Sequence, residues 1–149
     1  MVRKMAEVVS IHIVSERNGP AQALAEAEVV TDFGIAGDWR SHHRNSRQLT
    51  LIEEEGLLAT GGRLGLAVPP GASRRQVVVR GVSLNAMVGK TLRLAEVVVA
   101  VTDLCDPCEN MERTIGPGAR LAMATRGGVC ARVIQGGTLR VGDQVVIET

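Results

Sequence analysis

The sequence has almost no aromatic side chains: one phenylalanine, Phe33, one tryptophan, Trp39, and no tyrosine in 149 residues. Binders of single-stranded nucleic acid stack bases on aromatic platforms, and this chain has no such set. It also lacks an excess of either charge. Its 17 Lys and Arg nearly balance 16 Asp and Glu, for a net charge of +1. Recognition of a phosphate backbone needs a basic face, which this balance does not supply. No apolar run approaches the roughly 20 residues of a membrane-spanning helix. The apolar stretch near the N-terminus is broken by His12, Glu16 and Arg17, and no cleavable leader follows from it. The three cysteines, Cys105, Cys108 and Cys130, are an odd set crowded into the last third of the chain. That is not the even framework of a disulfide-stapled secreted domain. The expectation is a cytoplasmic protein with reduced thiols, binding neither nucleic acid nor membrane.

What the sequence does have is short β-branched runs separated by glycine. With 45% apolar residues it can bury a core as one domain, residues 1–149. Strands are expected over 7–15, 27–31, 48–52, 76–80, 91–94, 96–102, 128–134 and 144–147. The 96–102 run is apolar enough to be buried on both faces. Turn signals stand at Gly19-Pro20, Gly61-Gly62, Pro69-Pro70-Gly71, Gly81, Gly89, Gly136-Gly137 and Gly142-Asp143. No βαβ repeat appears. The pattern predicts a mainly β fold, a closed or partly closed, mostly antiparallel β-barrel with two or three short helices. The helices fall over 53–59, 106–115 and 119–125.

The segment Leu104-Cys105-Asp106-Pro107-Cys108-Glu109 carries the most chemistry. Asp106 suits a helix N-cap, Pro107 the first helical position and Glu109 a capping-box acid. Cys108 would then be the second residue of a helix, where free N–H groups and the dipole favour the thiolate that attacks sulfur or binds soft metals. Asp106 and Glu109 oppose that effect. Two other readings stay open. Cys-x-Pro-Cys is also the outline of a thiol-redox pair. Cys105, Cys108 and one of His42 and His43 could hold zinc, although no second ligand pair accompanies them. Cys130, in an apolar strand, reads as core.

The polar stretch 39–47 follows the loop 34–38 and holds His42, His43 and three arginines; it reads either as a solvated loop or as the wall of an anion site. Arg74 and Arg75 stand before a valine strand, where guanidinium forks suit phosphate or carboxylate. Arg132 interrupts an apolar strand, and an arginine buried there needs an anionic partner.

Several runs together resemble the short bacterial MOSC-domain proteins. They are Gly37-Asp38, the 47–53 run Arg-Gln-Leu-Thr-Leu-Ile-Glu, Arg74-Arg75-Gln76, the 81–90 run Gly-Val-Ser-Leu-Asn-Ala-Met-Val-Gly-Lys, Cys105-Asp106-Pro107-Cys108, the 127–133 run Gly-Gly-Val-Cys-Ala-Arg-Val, and Gly142-Asp143. They extend in order from about residue 32 to residue 146. The resemblance implies a barrel of the pyruvate-kinase type and kinship with the C-terminal domain of molybdenum cofactor sulfurase and with molybdenum-containing amidoxime reductases. It implies that Cys108 carries sulfur or ligates molybdenum. The implied cofactor is molybdopterin, with Arg74, Arg75, Arg132, His42 and His43 as cofactor-binding candidates. A cysteine desulfurase or a molybdoenzyme is the implied partner, in sulfur transfer or as a reductase component. Pyridoxal phosphate enters only by association, because the fused sulfurases carry a separate desulfurase domain. Two departures stand out: Gln76 replaces the usual Asn, and Trp39 follows Gly-Asp where a histidine is common. The alternative from a different class is a non-catalytic binding or thiol-redox module built on Cys105 and Cys108.

Overall fold

The computed structural model describes residues 6–43 and 47–148, with the side chains of His42 and His43 outside that description. Arg44, Asn45 and Ser46, part of the polar stretch singled out above, also lie outside the described residues. In chain order the strands and helices are β1 (Glu7–Ile13), β2 (Gln22–Leu24), β3 (Glu26–Val30), β4 (Gly34–Ile35), β5 (Leu49–Glu53), α1 (Glu54–Leu64), β6 (Val77–Arg80), β7 (Thr91–Leu94), β8 (Val97–Leu104), α2 (Glu109–Ile115), α3 (Ala119–Ala122), β9 (Val129–Gln135), β10 (Gly137–Arg140) and β11 (Val145–Glu148). Short 3-10 turns cover Trp39–His43, Pro70–Ser73 and Asn85–Met87. No helix among the described residues is long and apolar enough to cross a membrane.

Eight strands form one sheet in the order β11-β7-β8-β9-β5-β6-β1-β2, and β10-β3-β4 form a second. All pairs are antiparallel except β5 with β6, which run parallel and are joined through α1. The large sheet curls until its two sides meet. Glu7 bridges Gln144, the Val8 N–H donates to the Asp143 carbonyl at 2.8 Å, and the Val145 N–H donates to the Ala6 carbonyl at 2.9 Å. No ladder continues from there, so the sheet is not closed into a barrel. The reason lies in β1: β2 pairs with its second half, from Ile11 to Ile13, leaving only the start of the strand to meet β11.

The curl encloses one core and the helices cover another. Leu49, Leu51, Val77 and Val79 point into the first with Val99, Val129 and Leu139. Ile52 and Val78 point the other way, against Leu57 of α1, Met111 and Ile115 of α2, and Ala119 and Met123. This two-sided burial explains why Val77, Val78 and Val79 of β6 are apolar without alternation, and why Leu51 and Ile52 of β5 are both buried although they face opposite ways. In β8, Val97, Val99 and Val101 face the first core; on the opposite face Val98 is buried, Ala100 half-buried and Thr102 exposed, so the strand is covered on both sides only in its first half. Gly61-Gly62, expected as a turn, lies inside α1. Gly61 is buried where a Cβ would collide with the Leu66 carbonyl, and the helix ends at Gly65, whose φ of 70° needs no Cβ.

These glycines make opposite predictions. Gly128 has φ 95° and packs against the Leu51 carbonyl. Gly128→Ala is expected to cost about 3 kcal/mol. At Gly62, nothing lies within 4 Å of an added Cβ. Gly62→Ala is expected to stabilise by about 0.5–1 kcal/mol by lowering the entropy of the unfolded chain. Urea denaturation of both variants measures the contrast.

Candidate functional site

A pocket of about 200 Å³ opens where four loops converge, and Cys108 lines it. Its walls come from the segment that follows β1 (Val14, Glu16, Arg17, Asn18), the turn with Trp39 and Arg40, the approach to β6 (Arg74, Arg75), and Cys108 with Asn110 at the start of α2.

Asp38 assembles these walls. Its carboxylate is fully buried and accepts hydrogen bonds from the Val14 N–H at 3.3 Å and from Gln76 Nε2 at 3.0 Å. It also accepts from the Arg40 N–H at 2.8 Å and from Arg40 Nε at 3.0 Å, and the Arg40 Nη2 pairs with it at 2.8 Å. Burial alone would push this carboxyl up. The hydrogen bonds and charge of Arg40, with the Gln76 amide, outweigh it and hold Asp38 below its ordinary value. Arg40 Nη1 then donates to the Arg74 carbonyl at 2.6 Å. Gln76 carries the network inward, its Oε1 accepting from the Thr50 N–H at 2.9 Å.

Arg75 is buried, and its role is architectural. Its Nε donates to the Gly127 carbonyl at 2.6 Å and its Nη2 to the Asp106 carbonyl at 2.8 Å. One guanidinium fork thereby clamps the cysteine loop to the β9 approach. This clamp accounts for a correction. Asp106 is not the helix cap; Cys108 is, with φ −116° and ψ 171°, and α2 begins at Glu109. An N-cap carbonyl accepts the first intrahelical bond, whereas that of Asp106 is held by Arg75. The carbonyl of Cys108 instead accepts from the Glu112 N–H at 3.1 Å.

The three thiols have different surroundings. Cys108 is half-buried, backed by the helical core and open to the pocket. Cys105 is buried and its N–H donates to the Gly128 carbonyl at 2.8 Å. Cys130 is fully buried in β9, and a hydrogen bond with the Cys105 thiol, with burial, pushes its thiol far up. Cys105 therefore has Cys130 as a sulfur neighbour across the sheet. Among the described residues, no group of three or more His, Cys, Asp or Glu is arranged to hold a metal.

Arg74 adopts a left-handed backbone, φ 63°, unusual for a non-glycine residue. Burial, and then the like charge of Arg40, pull its guanidinium below the ordinary range, against the pull of Cys108 and Asp38. Neither Arg74 nor Arg17 has an acidic partner among the described residues, so the pocket keeps two guanidinium charges unspent. Arg132 does not join them. It is exposed on β9, its Nε paired with Asp32 at 3.3 Å, and it does not line the pocket. A one-residue step along a strand turns a side chain to the other face, which places Arg132 outside while Ala131 and Val133 enter the core. His42 and His43 close the turn that begins at Trp39. Sequence reading missed Asp38, Arg40 and Arg17 as individual site residues. The signal for the first two was present in the Gly-Asp run and the polar stretch after it.

A family model described as MOSC domain matches residues 38–146. No curated protein matches the sequence. Among solved structures, the chain is similar to the YuaD protein from Bacillus subtilis, with 17% identity, 97% of each chain covered and a TM-score of 0.79. It is also similar to YiiM from Geobacillus stearothermophilus, with 17% identity, 97% of this chain and 75% of that one covered and a TM-score of 0.76. YiiM from Escherichia coli is similar at 18% identity, with 96% and 70% covered and a TM-score of 0.69. At these identities the likeness is one of fold.

The Asp38 network has a pH signature. A carboxyl held low in the fold contributes stability that is fully present above its unfolded value of about 3.9 and is lost as pH falls through the folded value. Asp38→Asn is expected to cost about 3 kcal/mol at neutral pH, because it leaves Arg40 without its partner. The deficit relative to the unchanged protein should shrink once pH falls below about 4. Urea midpoints across the acid range read both effects.

Proposed function

Because the chain belongs to the MOSC-domain family, which is associated with molybdenum-cofactor-related function, we propose that it is a molybdenum-cofactor-linked protein whose working sulfur is Cys108. One observation carries the reading: of the three thiols, only Cys108 opens into a pocket, and that pocket holds the uncommitted guanidiniums of Arg17 and Arg74. A soft thiolate beside a cationic wall suits a molybdenum centre on an anionic, phosphate-bearing pterin. When bound, that cofactor supplies a redox-active metal.

The chain's own residues supply position. Arg74 and Arg17 bind the anionic part. Arg40 and Asp38 hold the Arg74 carbonyl and the Trp39 turn in place, and Arg75 fixes the loop that presents Cys108. His42 and His43, in the same turn as Arg40, are candidates to donate a proton. In the sulfur-carrier form of this reading, the Cys108 thiolate attacks the outer sulfur of a persulfide on a cysteine desulfurase. A new S–S bond forms as the donor's breaks, and the donor leaves as a thiol. The contact between Cys105 and Cys130 favours this single-sulfur reading over a Cys105–Cys108 redox pair.

Anaerobic purification from cells replete in molybdenum cofactor, followed by metal, pterin and persulfide analysis, tests the proposal. The unchanged chain and Cys105→Ala are expected to carry molybdopterin or a persulfide, and Cys108→Ser neither. Absence of both from the unchanged chain, or their retention in Cys108→Ser, rejects it. Arg74→Gly, which suits the left-handed backbone, should fold as well as the parent and lose at least about tenfold in cofactor affinity, the loss of one charge-assisted contact of about 1.4 kcal/mol or more.

A further inference from the structure

Two of the runs behind the family resemblance, 81–90 and 127–133, contribute Ser83, Asn85 and Gly128 to a second cavity of about 240 Å³. It shares no lining residue with the Cys108 pocket. It lies at the carboxyl end of β5, beside the loop that leaves β6. These strands form the one parallel pair among the described strands. The crevice outside the carboxyl ends of parallel strands is where ligands commonly bind.

Its walls are fixed by hydrogen bonds. Asn85 Nδ2 donates to the Thr125 carbonyl at 2.8 Å, and Glu53 Oε2 accepts from the Leu84 N–H at 3.0 Å. Thr125 is held at φ 67°, a left-handed conformation costly for a β-branched residue. Gly128 keeps its part of the lining bare. Within this frame the polar groups are not used up. The guanidinium of Arg126 has no acidic partner, and the hydroxyl of Ser83 makes no hydrogen bond, among the described residues. The Glu53 carboxylate faces the same space with one oxygen unengaged.

The geometry points to a binding site for a small zwitterion, an α-amino acid, its carboxylate on Arg126 and Ser83 and its ammonium on Glu53. The pairing of charges selects this class. A simple anion such as phosphate would meet Glu53, and a simple cation would meet Arg126; only a ligand carrying both signs satisfies both walls. Arg126 is exposed, so binding is weak and in the millimolar range. The inference is independent of the role of Cys108.

The test is a titration of the full chain with L-alanine, followed by amide chemical shifts, with acetate and methylammonium as half-ligands. Saturable shifts at Ser83, Asn85 and Gly128, with the Trp39 indole unmoved and each half-ligand several-fold weaker, are expected. Arg126→Gln, on the surface, and Glu53→Gln, which still accepts from Leu84, should each weaken binding several-fold. The site is overturned by an absence of shifts at tens of millimolar, by shifts at Trp39 and Asn110 instead, or by acetate binding as well as L-alanine with Glu53→Gln unaffected.

Discussion

A single buried carboxylate organises the functional face. Asp38 is taken fully out of water, which would be costly for an unpaired charge, and every part of it is answered by a donor. Those donors come from the segment that follows β1, from the turn after Asp38 and from the start of β6. Three segments far apart in sequence therefore cannot move independently. Through Arg40 the same charge reaches the Arg74 carbonyl and so fixes where the Arg74 guanidinium leaves the backbone. The cationic wall beside Cys108 is a consequence of where one negative charge is buried.

Arg75 extends this order to the sulfur. Its fork joins Gly127 to Asp106, and glycine is needed at 127 because a Cβ there would collide with the Cys105 carbonyl and Pro107. The cysteine loop is thus pressed between β9 and the arginine. Cys105 turns inward beside Cys130, and Cys108 is left at the helix boundary with its sulfur toward the pocket. Of two adjacent arginines that look alike in the sequence, one is held by backbone carbonyls and the other lines the pocket without an acidic partner among the described residues. The difference is set by which guanidinium finds backbone carbonyls.

Long β-branched runs were legible, since β-branched side chains suit a pleated, buried surface; the strand expected over 91–94 is β7 to the residue. The short strands β2, β4 and β10 were not. Gly137 opens β10 although Gly136-Gly137 reads as a turn, because pairing with Val29 of β3 decides its conformation. The helix expected over 53–59 continues to Leu64 because Gly61 is valued for close packing and not for a turn. In the site, the reactive-cysteine candidate and the Arg74-Arg75 pair were visible as residue types. Their division of labour, the exposure of Arg132 and the cap at Cys108 were not.

By itself the sequence determined the mainly β character, the family, and the set of thiols and arginines from which a site could be built, because these follow from local propensity, composition and ordered motifs. Tertiary structure alone decided that the sheet curls without closing, since β2 occupies half of the edge that closure would need. It also decided which sulfur meets the pocket and which of the pocket's guanidiniums are left without an acidic partner among the described residues. Those outcomes depend on partners dozens of residues away, on a buried carboxylate and a few carbonyls, and no local pattern records where such partners will fall.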